Sequence, residues 1–232
     1  MENLFCSIDK AEALRYAGQR EGPVSPELLA LLDVCAEEIM RLARPRLTYR
    51  RFSIEPEVGA LRLSGTRVFL PGNDIARHLK GCGGLVLMAV TLGVEIERAI
   101  RRCQVTDMAK ALLLDACASA AVESACNRSE MVIRKAVEGP PPWLTARYSP
   151  GYGDLPLALQ RPLLDLVDAG RKIGLFVSGS GIMTPQKSVT AIIGLRETPG
   201  EKQKSGCAVC ESRETCMYRK EGASCASADC VQ

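Results

Sequence analysis

Residues 147–152 have the composition of a binding site for a small polar ligand. The segment reads Arg-Tyr-Ser-Pro-Gly-Tyr. An arginine guanidinium is always charged and can hold a carboxylate through two parallel hydrogen bonds. The Pro-Gly turn allows backbone amides to approach a bound group, because glycine lacks a side chain and tolerates positive φ angles. The segment indicates a site for a carboxylate ligand, although a surface loop whose aromatic residues cover the core has the same composition.

Aromatic residues are concentrated around this segment. They make up 4% of the chain, yet Trp143, Tyr148 and Tyr152 fall within ten residues. This concentration adds surface for stacking and hydrogen bonding to the candidate site.

Residues 178–188 form a second candidate segment, between two apolar stretches at 173–177 and 189–195 that we predict to be strands. Its small residues would let the loop lie flat against a ligand, and Lys187 or Ser188 could donate a hydrogen bond to a ribose or a carboxylate. A hairpin with a long loop explains the same pattern without a ligand.

Two motifs in these segments resemble the activation domain of cobalamin-dependent methionine synthase. The first is Arg147-x-x-Pro150-Gly151-Tyr152 ahead of a helix, and the second is Met183-x-Pro185-x-x-Ser188-Val189 ahead of an apolar strand. The similarity covers about residues 140–195, and the N-terminal half looks more like the short, free-standing relatives of that domain. In that family the two motifs lie along one groove that binds S-adenosylmethionine (AdoMet).

The resemblance implies a role for individual residues. Arg147 would clamp the carboxylate of AdoMet, Tyr152 would pack on the ligand or bond to it, and residues 185–188 would close the groove. The implied AdoMet-binding residues are Arg147, Ser149, Pro150, Gly151, Tyr152, Pro185, Lys187 and Ser188.

The resemblance also implies a function. A free-standing protein of this kind would support reductive reactivation of a separate cobalamin-dependent methionine synthase or another corrinoid methyltransferase. A flavodoxin- or ferredoxin-type donor would reduce cob(II)alamin on that partner, and methyl transfer from AdoMet would trap the cob(I)alamin. Two alternatives remain: an iron–sulfur electron-transfer activator of a corrinoid protein that does not use AdoMet, and a zinc-stabilised interaction module without a redox role.

The cysteines fall into two groups. Five of the eleven follow residue 206, spaced Cys207-x2-Cys210-x5-Cys216-x8-Cys225-x4-Cys230. The first four are predicted metal ligands, for an iron–sulfur cluster or an all-cysteine zinc site, and disordered reactive thiols are the alternative. The other six occur singly in apolar or helical contexts and are predicted to be core residues: Cys6, Cys35, Cys82, Cys103, Cys117 and Cys126.

The pattern of apolar residues predicts an α+β fold, in which long helices pack against an antiparallel sheet. Helices are expected at residues 24–44, 107–137 and 155–169, the last with Gly170 as its C-cap. A hairpin turns at residues 64–66, and a buried strand begins at Gly84. We expect residues 1–198 to form the AdoMet-binding domain, and residues 199–232 to be a linker and a small Cys-rich appendage.

Several polar residues have two interpretations. On the 107–137 helix, Asp115, Glu123 and Glu130 project charge; Glu123 could face the AdoMet groove, or the row could be a solvated helix face. His78, the only histidine, lies in a short predicted helix at 75–79. It could be a general base or a cobalt ligand, but no second catalytic residue accompanies it. Residues 49–52, Tyr-Arg-Arg-Phe, are typical of a solvated strand edge.

Composition excludes some functions. The net charge of +3 comes from interspersed charges of both signs, which argues against a nucleic-acid surface. The N-terminus has no signal-peptide pattern, and the most apolar stretch, residues 84–94, is too short to span a membrane. We therefore expect a cytoplasmic protein.

Overall fold

An antiparallel sheet of six strands lies at the centre of the fold. The computed structural model describes residues 4, 7–19, 22–137 and 143–196, all within one unit, Met1–Glu197. The strands are β1 Arg46–Glu57, β2 Ala60–Leu63, β3 Phe69–Pro71, β4 Gly84–Thr91, β5 Trp143–Leu144, β6 Phe176–Val177, β7 Met183–Thr184 and β8 Ser188–Arg196. The large sheet has the order β3-β2-β1-β4-β8-β5, and β6 pairs with β7 separately.

Helices cover both faces of the large sheet. They are α1 Lys10–Tyr16, α2 Pro26–Leu42, α3 Asn73–His78, α4 Glu95–Thr106, α5 Met108–Ala136, α6 Gln160–Leu166 and α7 Ala169–Ile173, with a 3-10 turn at Leu157–Leu159. Alternate residues of β4 pack in opposite directions: Val86 and Met88 pack with α1, α2, α4 and α5, whereas Leu85 and Leu87 pack with α3, α6 and α7. All eight β4 residues are buried, as expected for a strand covered on both faces.

Local signals define the two long helices. Ser25 caps α2 by accepting the Leu28 N–H at 3.2 Å, and Asp107 caps α5 by accepting the Lys110 N–H at 3.0 Å. A row of small residues spaced along α5 is buried, so this helix can lie close to its neighbours: Ala111, Ala118, Ala121 and Ala125. The expected α+β fold with long helices on an antiparallel sheet is confirmed. Within the described ranges, no helix is both long enough and apolar enough to cross a membrane.

The helix predicted at residues 155–169 is broken, and Gly170 is not its cap. Asp168 adopts a left-handed conformation (φ 56°) between α6 and α7, which ends the first helix. Gly170 lies inside α7, and Gly174 (φ 67°) ends that helix instead. Aspartate is one of the few residues other than glycine that tolerate this conformation, so its presence gave no clear signal of a break.

Residues 49–52 pair with β4 on one side only, because the pairing of β2 with β1 is confined to residues 54–57. Arg50 and Arg51 are exposed, as expected for a solvated strand edge. One other expectation needs correction. The two apolar stretches that flank residues 178–188 do not pair with each other: β6 pairs with β7, and β8 pairs with β4 and β5.

Candidate functional site

A row of polar side chains runs along α5 and organises the candidate site. Its members follow one another at intervals of four and then three residues: Asp115, Ser119, Glu123, Asn127 and Glu130. Residues at these intervals lie on one side of a helix, one turn after another. We call these five residues the polar row, residues 147–152 the first motif, and residues 183–189 the second motif.

Arg147 of the first motif lies on the polar row. Its Nη1 donates to Asn127 Oδ1 at 2.9 Å and to Glu130 Oε1 at 2.5 Å, and its Nη2 donates to Glu123 Oε2 at 2.8 Å. Only 17% of the Arg147 side chain is exposed. The guanidinium thus lies between two carboxylates, and Glu123, interpreted above as either groove-facing or solvated, is one of them.

Burial changes the titration of groups around Arg147. The pKa of Glu130 is raised above its ordinary value, because burial outweighs the opposite effect of the neighbouring Arg147. The Cys126 thiol is buried in the same region, and burial raises its pKa as well. The side of the site formed by Cys126 and Glu130 is consequently shielded from water, whereas 40% of the Glu123 side chain is exposed.

Lys187 of the second motif contacts the other end of the polar row. Its Nζ lies 2.8 Å from Asp115 Oδ1 and donates to Ser119 Oγ at 3.0 Å. The Lys187 side chain is 15% exposed. The cations of both motifs therefore lie on one face of one helix, although 40 residues separate them in the sequence.

The backbone of the first motif is joined to β8, the strand that begins in the second motif. Tyr148 and Ile192 exchange two backbone hydrogen bonds, of 2.9 and 2.8 Å. Pro150 is buried, and the Ser149 carbonyl accepts the Tyr152 N–H at 3.0 Å. The turn contains Gly151 at a φ of 91°, a conformation that favours glycine.

Tyr152 of the first motif is exposed. The residue is 58% accessible, and its ring meets the Tyr148 ring edge-on with centroids 5.9 Å apart. The third aromatic residue of this stretch, Trp143, is 51% exposed on β5. The aromatic surface expected from the sequence is therefore open to a ligand or a partner.

The short helix α3 contacts the chain on both sides of the first motif. Before the motif, His78 Nε2 lies 2.9 Å from the Ala146 carbonyl oxygen and 2.9 Å from Thr145 Oγ1. After it, the Asp154 carboxylate accepts the Asn73 N–H at 2.6 Å. The His78 ring also packs against the Tyr148 ring, with centroids 5.0 Å apart. His78 therefore contacts the chain next to Arg147.

Backbone contacts fix the second motif. The buried carboxylate of Glu97 on α4 accepts the Gln186 N–H, and the Lys187 carbonyl accepts the Leu92 N–H at 3.0 Å. Ser188, which was expected to donate to a ligand, donates its hydroxyl to the Pro185 carbonyl at 2.7 Å. Pro185 and Ser188 are both buried.

The structure brings some expected residues together and adds others. Arg147 and Lys187 share the polar row, whereas the Ser188 hydroxyl is engaged within its own motif. The contributions of Glu97, Asn127 and Asp154 were not expected from the sequence. Each contacts a residue at least 20 positions away, and neither residue spacing nor composition signals such a partner.

The predicted metal ligands, Cys207, Cys210, Cys216 and Cys225, lie outside the described residues, as do Cys230 and Cys6. Within the described ranges, no group of three or more His, Cys, Asp or Glu side chains is arranged to hold a metal ion. Of the cysteines predicted to be core residues, Cys35, Cys117 and Cys126 are buried, and Cys82 and Cys103 are half-buried. All five are free thiols.

Comparison with known proteins identifies a structural neighbour. No protein-family model and no curated protein matches the sequence. Among solved structures, the chain is similar to the MetH reactivation domain bound to AdoHcy, with a TM-score of 0.58. This chain therefore has the fold of the MetH reactivation domain. The two are 13% identical, and the similarity covers 85% of this chain and 73% of the other. The similarity thus confirms the fold that the two sequence motifs implied.

Proposed function

We propose that this protein binds AdoMet at the two motifs and supports the reductive reactivation of a separate cobalamin-dependent methionine synthase or related corrinoid methyltransferase. One observation carries the proposal: the cations of both motifs lie on the polar row of α5. The fold in which they do so is similar to that of a domain solved with AdoHcy, which is AdoMet without its transferable methyl group.

The charges around Arg147 suit AdoMet. The ligand carries one carboxylate and two cationic groups, the α-ammonium and the sulfonium, while this part of the site has one guanidinium and two carboxylates. Arg147 would receive the ligand carboxylate in place of part of its present pairing. Glu123, whose side chain is 40% exposed, is the more accessible acceptor for the ammonium group. The two sets of charges are complementary in number and sign.

Holding and orienting AdoMet is the role we assign to this chain. In the proposed reaction, the methyl group moves from the AdoMet sulfur to cob(I)alamin on the partner and leaves AdoHcy behind. That step requires the methyl carbon to face the partner, and it transfers no proton. The proposed contributions are therefore binding by Arg147, contact by the exposed Tyr152 ring, and the shape of the second motif.

Calorimetric titration with AdoMet tests the proposal. We expect saturable one-site binding by the wild type and a loss of at least about tenfold in affinity for Arg147→Ala, because hydrogen bonds between charged groups contribute about 1.5–3 kcal/mol. Arg147→Lys keeps the charge but not the planar fork, so its affinity should fall between those of the wild type and Arg147→Ala.

Arg98→Ala is the control for these variants. It also removes an ion-paired arginine, whose side chain is 64% exposed on α4, and should bind AdoMet as the wild type does. If the wild type does not bind AdoMet, even with a corrinoid partner present, the proposal fails.

The cysteine spacing beyond residue 206 favours a second candidate function, electron transfer to a corrinoid protein by an iron–sulfur cluster. Visible absorption of anaerobically purified protein distinguishes the possibilities. An iron–sulfur cluster absorbs in the visible range, whereas zinc is colourless because its d shell is filled. Colour that disappears in Cys207→Ser together with Cys210→Ser would support a cluster at these positions. Colourless protein that contains stoichiometric zinc would support the interaction module instead.

A further inference from the structure

The histidine of α3, His78, contacts the backbone next to Arg147. His78 Nε2 lies 2.9 Å from the Ala146 carbonyl oxygen. A carbonyl oxygen only accepts hydrogen bonds, so the hydrogen of a neutral His78 must be on Nε2. Thr145 Oγ1, which itself accepts the Gly194 N–H at 2.8 Å, lies at the same distance from Nε2. A second proton would therefore add at Nδ1 and make the ring positive.

The surroundings of His78 disfavour a positive ring. Burial lowers its pKa most, the hydrogen bond to Ala146 opposes that effect, and the positive charge of Arg196 on β8 lowers the pKa further. The other titratable groups nearby are the Tyr148 phenol, whose ring packs on the imidazole, and the Cys82 thiol, which is hydrogen-bonded to Arg196. On α3 itself, Arg77 and Asp74 form an ion pair of 3.0 Å.

The same helix is also attached beyond the first motif. Asp154 accepts the N–H groups of Asn73 and Asp74, at 2.6 and 3.2 Å. A Cβ atom at Gly153 would lie 2.5 Å from Asp74 Oδ2, so the segment after the first motif is in close contact with α3 there. Displacement of α3 would therefore disturb the chain on both sides of Arg147.

We propose that His78 is a positioning residue that makes the placement of the first motif depend on pH, because protonation of its ring disfavours the packing of α3 on residues 145–148. The part of this inference that concerns ligand binding rests on the proposed AdoMet site. The part that concerns the packing of α3 on residues 145–148 is independent of that site.

The direction of the pH effect follows from proton linkage. When α3 is separated from residues 145–148, the His78 imidazole has its ordinary pKa of about 6.5, and when α3 is packed on them the pKa is lower. The separated form therefore binds protons more readily. The packed arrangement is thus fully favoured above about pH 7 and is weakened as the pH falls below about 6.5.

Trp143 provides a readout that does not require a ligand. It is the only tryptophan of the chain and lies on β5, two residues before Thr145. We expect its fluorescence to change as the pH falls below about 6.5 in the wild type and to stay constant in His78→Gln, which keeps an N–H donor but does not titrate. His78→Phe, which keeps the ring packing on Tyr148, should also lack the transition. If the fluorescence of Trp143 does not change with pH, the hydrogen exchange of residues 145–154 is compared in the wild type and His78→Gln instead. Equal pH dependence in wild type and His78→Gln overturns the inference.

Calorimetry with AdoMet separates this inference from the proposed function. Between pH 7.5 and 5.5 we expect the wild-type affinity to fall more than that of His78→Gln, by at most about tenfold, which is the limit set by an unpacked pKa of about 6.5. Titration of the ligand and of Glu130 cancels in the ratio. Binding that is equally pH-dependent in both proteins overturns the coupling to the ligand. A His78-dependent change at Trp143 without any AdoMet binding overturns the proposed function and leaves the positioning role standing.

Discussion

The two motifs contact one helix, but different parts of the chain hold them. In the first, the Arg147 guanidinium bonds three residues of the polar row, and the backbone of Tyr148 pairs with Ile192 of β8. In the second, the Lys187 ammonium bonds two residues of the row, and the backbone is fixed on both sides of it, because the Gln186 N–H donates to Glu97 and the Lys187 carbonyl accepts from Leu92. A ligand that competes for Arg147 would alter the support of the first motif, whereas the second would keep its shape.

The exposure of the acidic partners strengthens the contrast. Glu130, which pairs with Arg147, is 27% exposed, and Asp115, which pairs with Lys187, is 52% exposed. Ion pairs in water contribute little to stability, because solvent and salt screen them, whereas the loss of one partner from a shielded pair leaves a charge that water does not fully solvate. We expect the Arg147 pairing to matter more for folding.

Removal of one carboxylate from each end of the polar row tests this comparison most strongly. Glu130→Ala should lower the free energy of unfolding by about 1–3 kcal/mol, because Arg147 loses a shielded partner. Asp115→Ala should lower it by about 0–1 kcal/mol. Urea unfolding followed by circular dichroism measures both, and equal denaturant slopes would show that only stability has changed. Equal losses in the two variants would remove the distinction between the motifs.

The backbone support of the second motif is tested by Glu97→Gln. The amide keeps an acceptor for the Gln186 N–H but loses the charge, so unfolding should become easier by about 1 kcal/mol. Hydrogen exchange should accelerate at residues 185–188 and not at residues 147–152. Faster exchange in both motifs would mean that they are fixed as one unit rather than separately.

The smallest effect concerns the pH dependence of stability around Arg147. The raised pKa of Glu130 means that the folded protein binds a proton there more readily than the unfolded chain does. The contribution of Glu130 to stability should therefore decrease as the pH rises through the range from its ordinary pKa to the raised one. Urea unfolding of wild type and Glu130→Gln at several values between pH 4 and 7 isolates this change. A difference between them that grows with pH would reverse the sign and argue that pairing with Arg147 outweighs burial.

Much of the fold was predictable from local sequence signals. The helical pattern over residues 107–137 predicted α5, and the continuous apolar run from Gly84 predicted β4. The break at Asp168 was not predictable, because one residue in a left-handed conformation leaves the apolar pattern around it intact. The pairing of β1 with β4 joins residues more than 30 positions apart in the sequence, which the composition of residues 49–52 does not reveal.

The candidate site was predictable in its residues more than in their contacts. The sequence identified Arg147 and Lys187 but not the helix on which both lie. A polar residue every fourth position is equally typical of a solvated helix face, so the interpretation of Glu123 stayed open until its distance to Arg147 was known. The roles in binding AdoMet that the resemblance assigns to all eight residues stay predictions: Arg147, Ser149, Pro150, Gly151, Tyr152, Pro185, Lys187 and Ser188.

The continuous helix α5 also fixes the distance between the points at which the two motifs contact it. Asp115, which pairs with Lys187, precedes Glu123, which pairs with Arg147, by eight residues, and a rise of about 1.5 Å per residue places these partners about 12 Å apart along the axis. Insertion of a single residue between them would turn one partner by about 100° relative to the other. The spacing between the two motifs can therefore change only by whole helical turns, and a ligand that contacts both must match one fixed length.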